Sequence, residues 1–208
     1  MKRLVTVGLT GGIATGKSTT LDFWRSRGAA TLDADEYAHR ALAPDTPTGQ
    51  EVARTFGKAA LNSDGTVNRA ALGEIVFADA EKRKTLNRII HPSVERMWKG
   101  DVDRLRDEGH AETAVVAIPL LYEVAAETEF DCVVVVGCSE TTQLVRLRRK
   151  GLSDAGARAR MGAQWPLTTK MDRADFVIWN DGTPAVLHRQ AEIIWATIKE
   201  SYHGPSKN

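Results

Sequence analysis

The segment Gly11-Gly12-Ile13-Ala14-Thr15-Gly16-Lys17-Ser18 carries glycines, a lysine and a hydroxyl at the spacing G-x-x-x-x-G-K-[ST]. Glycine lets a chain curl so that successive backbone N–H groups face one anion, and a helix opening there adds the partial positive charge of its N-terminus. In such a loop Lys17 reaches the β- and γ-phosphates of ATP, and Ser18 holds Mg²⁺. The bare pattern recurs by chance, but here it follows a β-branched run at residues 4–9 and opens a helix predicted over 17–27. Gly12, Ala14, Thr15, Gly16, Lys17, Ser18 and Thr19 are therefore the expected nucleotide contacts.

A nucleotide site leaves the reaction open. Phosphoryl transfer also needs a group that activates the acceptor and cations that neutralise the moving charge. Asp33 and Asp35 follow a second short strand at residues 29–32. Residues two apart in an extended chain share a face, so one carboxylate can act through the metal shell while the other takes a hydroxyl proton. A helix cap at either aspartate accounts for the pair equally well. The polar stretch 141–173 contains Arg146, Arg148, Arg149, Arg158, Arg160 and Arg173, and arginine is the side chain best suited to a transferring phosphoryl group. A lid over 146–173 that delivers Arg149 or Arg160 on closure would exclude water; the alternative is a solvated helix face. Asn180-Asp181-Gly182 follows the last predicted strand, where ligands of open α/β sheets bind. Asn180 and Gly182 can border the adenine or simply turn the chain.

These residues need a scaffold. Two βα units fill residues 1–43, and near-continuous apolar runs at 114–118, 132–136 and 176–179 suit a parallel sheet covered on both faces. Between them, residues 44–109 lack a strand-like run and repeat apolar residues at helical spacing, as at Leu86, Ile89, Ile90, Val94, Met97 and Trp98. This predicts a helical insertion with a turn at Asp64-Gly65 and a new helix starting near Pro92. Residues 185–202, with Leu187, Ile194 and Ile198, predict a closing amphipathic helix. With 208 residues and a formal charge of +1, the chain is expected to form one domain whose partners, nucleic acid and membranes excluded, are small molecules. Cys132 and Cys138 read as core residues in a reducing compartment, and the absence of a signal-like or membrane-length apolar run predicts a cytoplasmic protein.

With these residues in hand, the chain resembles the dephospho-CoA kinase family. The resemblance is carried by Leu9 to Ile13 running into Gly16 to Thr19, by Asp33-Ala34-Asp35, by Leu86 to His91-Pro92, by Pro119-Leu120-Leu121-Tyr122-Glu123, and by Ala174 to Ile178 with Asn180 and Gly182. It implies a P-loop kinase fold: a five-stranded parallel sheet of order 2-3-1-4-5, helices on both faces, a helical acceptor-binding insertion over 44–109 and a lid. The implied reaction moves the ATP γ-phosphoryl group to the ribose 3′-hydroxyl of dephospho-CoA, in a monomer or weak homo-oligomer. Lys17 becomes the phosphate lysine and Asp35 the general base, with Asp33, His91 and Leu120 on the substrate side and Ser18 and Asp33 near Mg²⁺. The chain departs from the family pattern in places. Ala14 stands where a further glycine is usual, which asks that this position avoid positive φ. Trp179 precedes Asn180 where an aspartate is common, and the segment around Arg149-Lys150-Gly151 is a residue short.

Other readings are a shikimate-like or nucleoside-type kinase, which also pairs the loop with Asp-x-Asp, and a GTPase-like switch. The long insertion and Pro119 to Glu123 speak against the first. The second requires Asn-Lys-x-Asp and Asp-x-x-Gly, and neither occurs in this sequence.

Overall fold

The computed structural model describes residues 3–204. Strands and helices alternate as parallel crossovers require. β1 (Val5–Gly11) leads into α1 (Lys17–Ser26) and β2 (Ala30–Asp33); β3 (Thr113–Ala117), β4 (Cys132–Gly137) and β5 (Phe176–Trp179) come later in the chain. The strands pair in parallel in the order β2-β3-β1-β4-β5, as the family resemblance implies.

By its internal contacts the chain divides into two compact units. The α/β unit runs to Asp33 and resumes at Val102. On one face of its sheet Val5, Val7, Leu9, Val134 and Val136 pack with Leu21 and Trp24 of α1 and with Leu187, Trp195 and Ile198 of the closing helix, α9 in chain order (Pro184–His203). Trp24 is fully buried. Its ring stacks on Trp195 at 5.9 Å between centroids, and its indole N–H donates to the Ala191 carbonyl at 2.9 Å. On the other face a Cβ at Gly8 would lie 2.7 Å from Leu121 Cδ1. That glycine lets the segment after β3 lie directly on the sheet, beside α8 (Leu167–Asp172), which contacts β1 and β4. Covered on both sides, β1, β3 and β4 are buried along their lengths.

β5 departs from the expected continuous burial. It is an edge strand, and Val177 and Trp179 are exposed. Gln190 of α9 accepts from the Trp179 N–H at 3.0 Å and donates to its carbonyl at 2.9 Å, so a side chain occupies an edge position otherwise open to another strand. Cys132 and Cys138 are buried as expected. Burial pushes their thiols up to about 12 and about 11, which leaves them unreactive near neutrality.

The second unit, Ala34–Asp101, is helical, starts ten residues before the expected boundary at Pro44, and ends inside a helix. It comprises α2 (Ala34–Ala41), α3 (Pro47–Phe56), α4 (Arg69–Ala78) and most of α5 (Ala80–Glu108). Thr46 and Asn68 cap α3 and α4 by accepting from Gly49 and Ala71 N–H groups. The Asp64-Gly65 turn forms, with Gly65 at φ 84°, and an isolated bridge pairs Leu61 with Val67. Pro92 does not begin a new helix; it lies inside α5. It has no N–H for the Arg88 carbonyl, but Ile90, Val94 and Trp98 are buried on the turns to either side, and that burial favours one continuous helix.

Trp24 joins α1, α9 and the sheet, so Trp24→Ala is expected to lower stability by about 3–5 kcal/mol, read as a drop in the urea midpoint. A loss below about 1 kcal/mol, under the range for buried aromatic truncation, would show that the α1–α9 layer does not depend on it.

Candidate active site

The loop between β1 and α1 is shaped by what binds its carbonyls. Gln143 donates to the Ile13 carbonyl at 2.7 Å, Arg146 to those of Ala14 and Thr15 at 3.1 and 3.2 Å, and Asn180 to that of Thr15 at 2.7 Å. A trans peptide points its N–H opposite to its C=O. The N–H groups of Ala14, Thr15 and Gly16 are therefore turned away from these donors, into the loop. The peptide between Gly12 and Ile13 is reversed: Gly12 presents its carbonyl to Lys17 Nζ at 3.2 Å and to Thr15 Oγ1 at 2.9 Å, while the Ile13 N–H donates to Gln164 at 2.9 Å. Gly16 caps α1 in a left-handed conformation, φ 112°, with no side chain bonding the helix's first N–H groups. A Cβ there would lie 2.3 Å from Asn180 Nδ2, so both backbone and neighbour require glycine. The result is a half-ring of N–H groups at a helix N-terminus, an anion site.

Ala14 overturns one expectation. Its φ is +60°, the left-handed region it was expected to avoid, at a cost of about 1–2 kcal/mol for a residue with a Cβ.

Ser18 and Thr19 are exposed in the first turn of α1, and Lys17 is half-buried. Asp33 ends β2, half-buried, and stands opposite Ala117, which also faces Leu9 of β1. Two strand spacings, about 10 Å, thus separate Asp33 from the chain entering the loop, room for a phosphoryl group and its acceptor. Asp35 does not extend that strand. It is the second residue of α2 and exposed, so the shared-face argument for Asp33 and Asp35 fails: Ala34 starts a helix, where residues two apart diverge. Asp35 and His91 belong to the helical unit. His91 is half-buried, and burial holds its imidazole below the usual range, with the Glu95 carboxylate opposing. Leu120 is half-buried after β3, and Gly182 is exposed after β5. Asn180 is 6% exposed beneath the loop, with its amide nitrogen committed to Thr15.

The segment 146–173, expected to form a lid, takes in the end of α6 (Glu140–Arg149), α7 (Asp154–Gly162) and α8. Most of its arginines have structural partners. Arg146 holds the loop and also donates to the Asn180 carbonyl at 2.9 Å. Arg148 pairs with Asp154, Arg158 with Glu140, and Arg173 with Glu127. Arg149 is exposed at the end of α6, and Arg160 is half-buried on α7 with a long 3.5 Å contact to the Gly156 carbonyl.

Sequence reasoning did not single out Gln143, Gln164 or the pair Lys170–Glu123. Gln143 and Arg146 are three apart on α6, a spacing that places both on one helix face and would have linked them. Lys170 is fully buried, 2.8 Å from Glu123 and donating to the Pro119 carbonyl at 2.9 Å. Burial lowers its pKa, and the bond to Glu123 opposes that. Nearby, Tyr122 stacks on Trp165, with the Arg173 guanidinium 5.3 Å from the Tyr122 ring. Burial pushes the Tyr122 hydroxyl to about 12. Among the described residues no cluster of three or more His, Cys, Asp or Glu could hold a metal. A Mg²⁺ ion held mostly by phosphate oxygens and water needs no such cluster, and the exposed Ser18 hydroxyl with Asp33 suits it.

Comparison with known proteins agrees with this geometry. The profile of the dephospho-CoA kinase family matches residues 5–185. A dephospho-CoA kinase of Anaeromyxobacter dehalogenans is 46% identical over 93% of this chain and 92% of its own length; one of Geobacillus kaustophilus is 43% identical over 89% and 92%. Among solved structures, one from Thermus thermophilus superposes with a TM-score of 0.77 at 33% identity, covering 95% of this chain and 99% of its own. The dephospho-CoA kinase of Campylobacter jejuni superposes at 0.67 with 29% identity, covering 97% and 98%.

Asn180→Ala removes the shorter of the two hydrogen bonds to the Thr15 carbonyl and leaves it with Arg146 alone. ATP binding by equilibrium titration should weaken by roughly tenfold, the effect of one such buried bond. Unchanged affinity would mean the loop keeps its shape without this clamp.

Proposed function

The chain belongs to the dephospho-CoA kinase family, and from that premise we propose how its residues carry out ATP-dependent phosphorylation of the ribose 3′-hydroxyl of dephospho-CoA. The observation that carries the reading is the loop whose carbonyls are held from behind, so that its N–H groups face one anion site beside Lys17.

Gly12 to Thr19 hold the ATP phosphates, with the Lys17 ammonium exchanging the Gly12 carbonyl for the β- and γ-phosphoryl oxygens. Ser18 and Asp33 are the side chains that would hold Mg²⁺, which when bound supplies charge neutralisation at those oxygens. Asp35 is the general base. It is exposed at the start of α2, two residues beyond the last residue of β2. Its carboxylate takes the proton of the 3′-hydroxyl as the O3′–Pγ bond forms and the bond from Pγ to the bridging oxygen breaks, releasing ADP. Arg149, at the end of α6, and Arg160, on α7, are assigned to the charge of the moving group, which a planar, always-charged guanidinium suits. Asn180 acts on the nucleotide through the loop, and Gly182 lies where the adenine edge is expected. The helical unit, with His91, and Leu120 after β3 bind the acceptor. A cytoplasmic protein, monomeric or weakly self-associating, fits a reaction between soluble small molecules. No helix among the described residues is long and apolar enough to cross a membrane.

ADP release from ATP and Mg²⁺ with dephospho-CoA, shikimate or adenosine offered separately tests the reaction, with the product identified by mass. Turnover is expected with dephospho-CoA alone; phosphorylation of shikimate or adenosine in its place would overturn the reading. Lys17→Ala and Asp35→Ala should each lower kcat by roughly 10²- to 10⁴-fold, the range for lost charge stabilisation or proton transfer. Near-normal turnover of Asp35→Ala would remove it as the base.

A further inference from the structure

Ala14 is strained, and its surroundings show what the strain accompanies. Its φ of 60° brings the Cβ toward the following carbonyl. Together with Ile13, Leu152 and Met161, it packs on a small apolar cluster formed by Leu144 and Leu147 of α6 and Ala157 of α7. Its carbonyl accepts from Arg146. The preceding residue is held on both sides, its carbonyl by Gln143 and its N–H by Gln164. Every one of these partners lies between residues 143 and 164, on or beside α6 and α7.

We propose that Ala14 is a positioning residue that couples the phosphate loop to the α6–α7 pair, its methyl group forming the apolar half of a contact whose polar half is Gln143, Arg146 and Gln164. A glycine here would adopt the same φ without strain but would offer the helices nothing to pack on. With alanine, the left-handed backbone is sustained by the seated helix pair, and the pair is seated by the methyl group. The loop therefore holds its phosphate-binding shape in step with the segment carrying Arg149 and Arg160. A phosphoryl group is then presented to the acceptor with water shut out.

The coupling is read without reference to activity by limited trypsin digestion of the full chain, following cleavage at Arg158 and Arg160 in α7. Ala14→Gly is expected to speed that cleavage by roughly three- to tenfold, since proteolysis follows the population of the opened segment, with the thermal midpoint nearly unchanged. Leu144→Ala removes the partner in place of the methyl and should accelerate cleavage similarly, and the double variant should be no faster than the faster single one. Unchanged cleavage in Ala14→Gly, or fully additive effects in the pair, would overturn the proposal. A kinetic arm rests on the kinase reading: Ala14→Gly should raise ADP formation without acceptor severalfold relative to transfer, and an unaltered ratio would count against the coupling. Failure of the unaltered protein to phosphorylate dephospho-CoA would sink the kinase reading alone, because the digestion result stands by itself.

Discussion

Turning a run of peptide N–H groups toward one point is the constraint on which the α/β unit depends. Each trans peptide that aims its N–H into the loop must aim its carbonyl into protein, and a buried carbonyl left without a donor costs about 1–3 kcal/mol. Gln143, Arg146 and Asn180 supply those donors. They come from the helix after β4 and the turn after β5, more than 120 residues from the loop. The sheet order gives this its sense: β4 pairs with β1 and β5 with β4, so both donor-bearing segments leave the sheet at the end where the loop begins.

A second tie runs along the opposite face. The Pro119 carbonyl accepts from Thr10, just before the loop, and from buried Lys170 of α8, which is also paired with Glu123. Glu123 in turn accepts from the Trp165 N–H. An ion pair taken out of water contributes little net stability, because desolvation offsets the attraction, but breaking one partner is costly. Its effect here is geometric: it fixes α8 and the segment after β3 with respect to β1. The stack of Tyr122 and Trp165 under Arg173 extends the same contact toward the surface. The segment from α6 to α8 is thus anchored at its far end by charge and at its near end by the loop, and Arg149 and Arg160 lie between the anchors.

The phosphate loop, the strands and the family were legible in the sequence because each rests on local chemistry. Glycine spacing sets where a chain can curl, β-branched runs set strands buried on both faces, and Gly11 to Ser18, Asp33 and Pro119 to Glu123 stand in an order that pointed to the family whose profile matches residues 5–185. The closing helix was visible for the same reason, since Leu187, Ile194 and Ile198 recur at helical spacing and all three pack into the core.

The tertiary structure decided what depends on partners distant in sequence. Pro92 stays inside α5 because burial on the neighbouring turns outweighs a missing hydrogen bond, which no local propensity records. Asp35 enters a helix, so its relation to Asp33 is not the one alternation predicts. Asn180, which by position can border an adenine, is turned under the loop, where its amide donates to the Thr15 carbonyl beside Arg146. Ala14 takes a conformation that its own side chain disfavours, because helices that follow it by some 130 residues pack on its methyl group. Residue type and spacing determined which chemistry this chain carries; the demand that every buried carbonyl find a donor and every strained residue a compensating contact determined where its atoms stand.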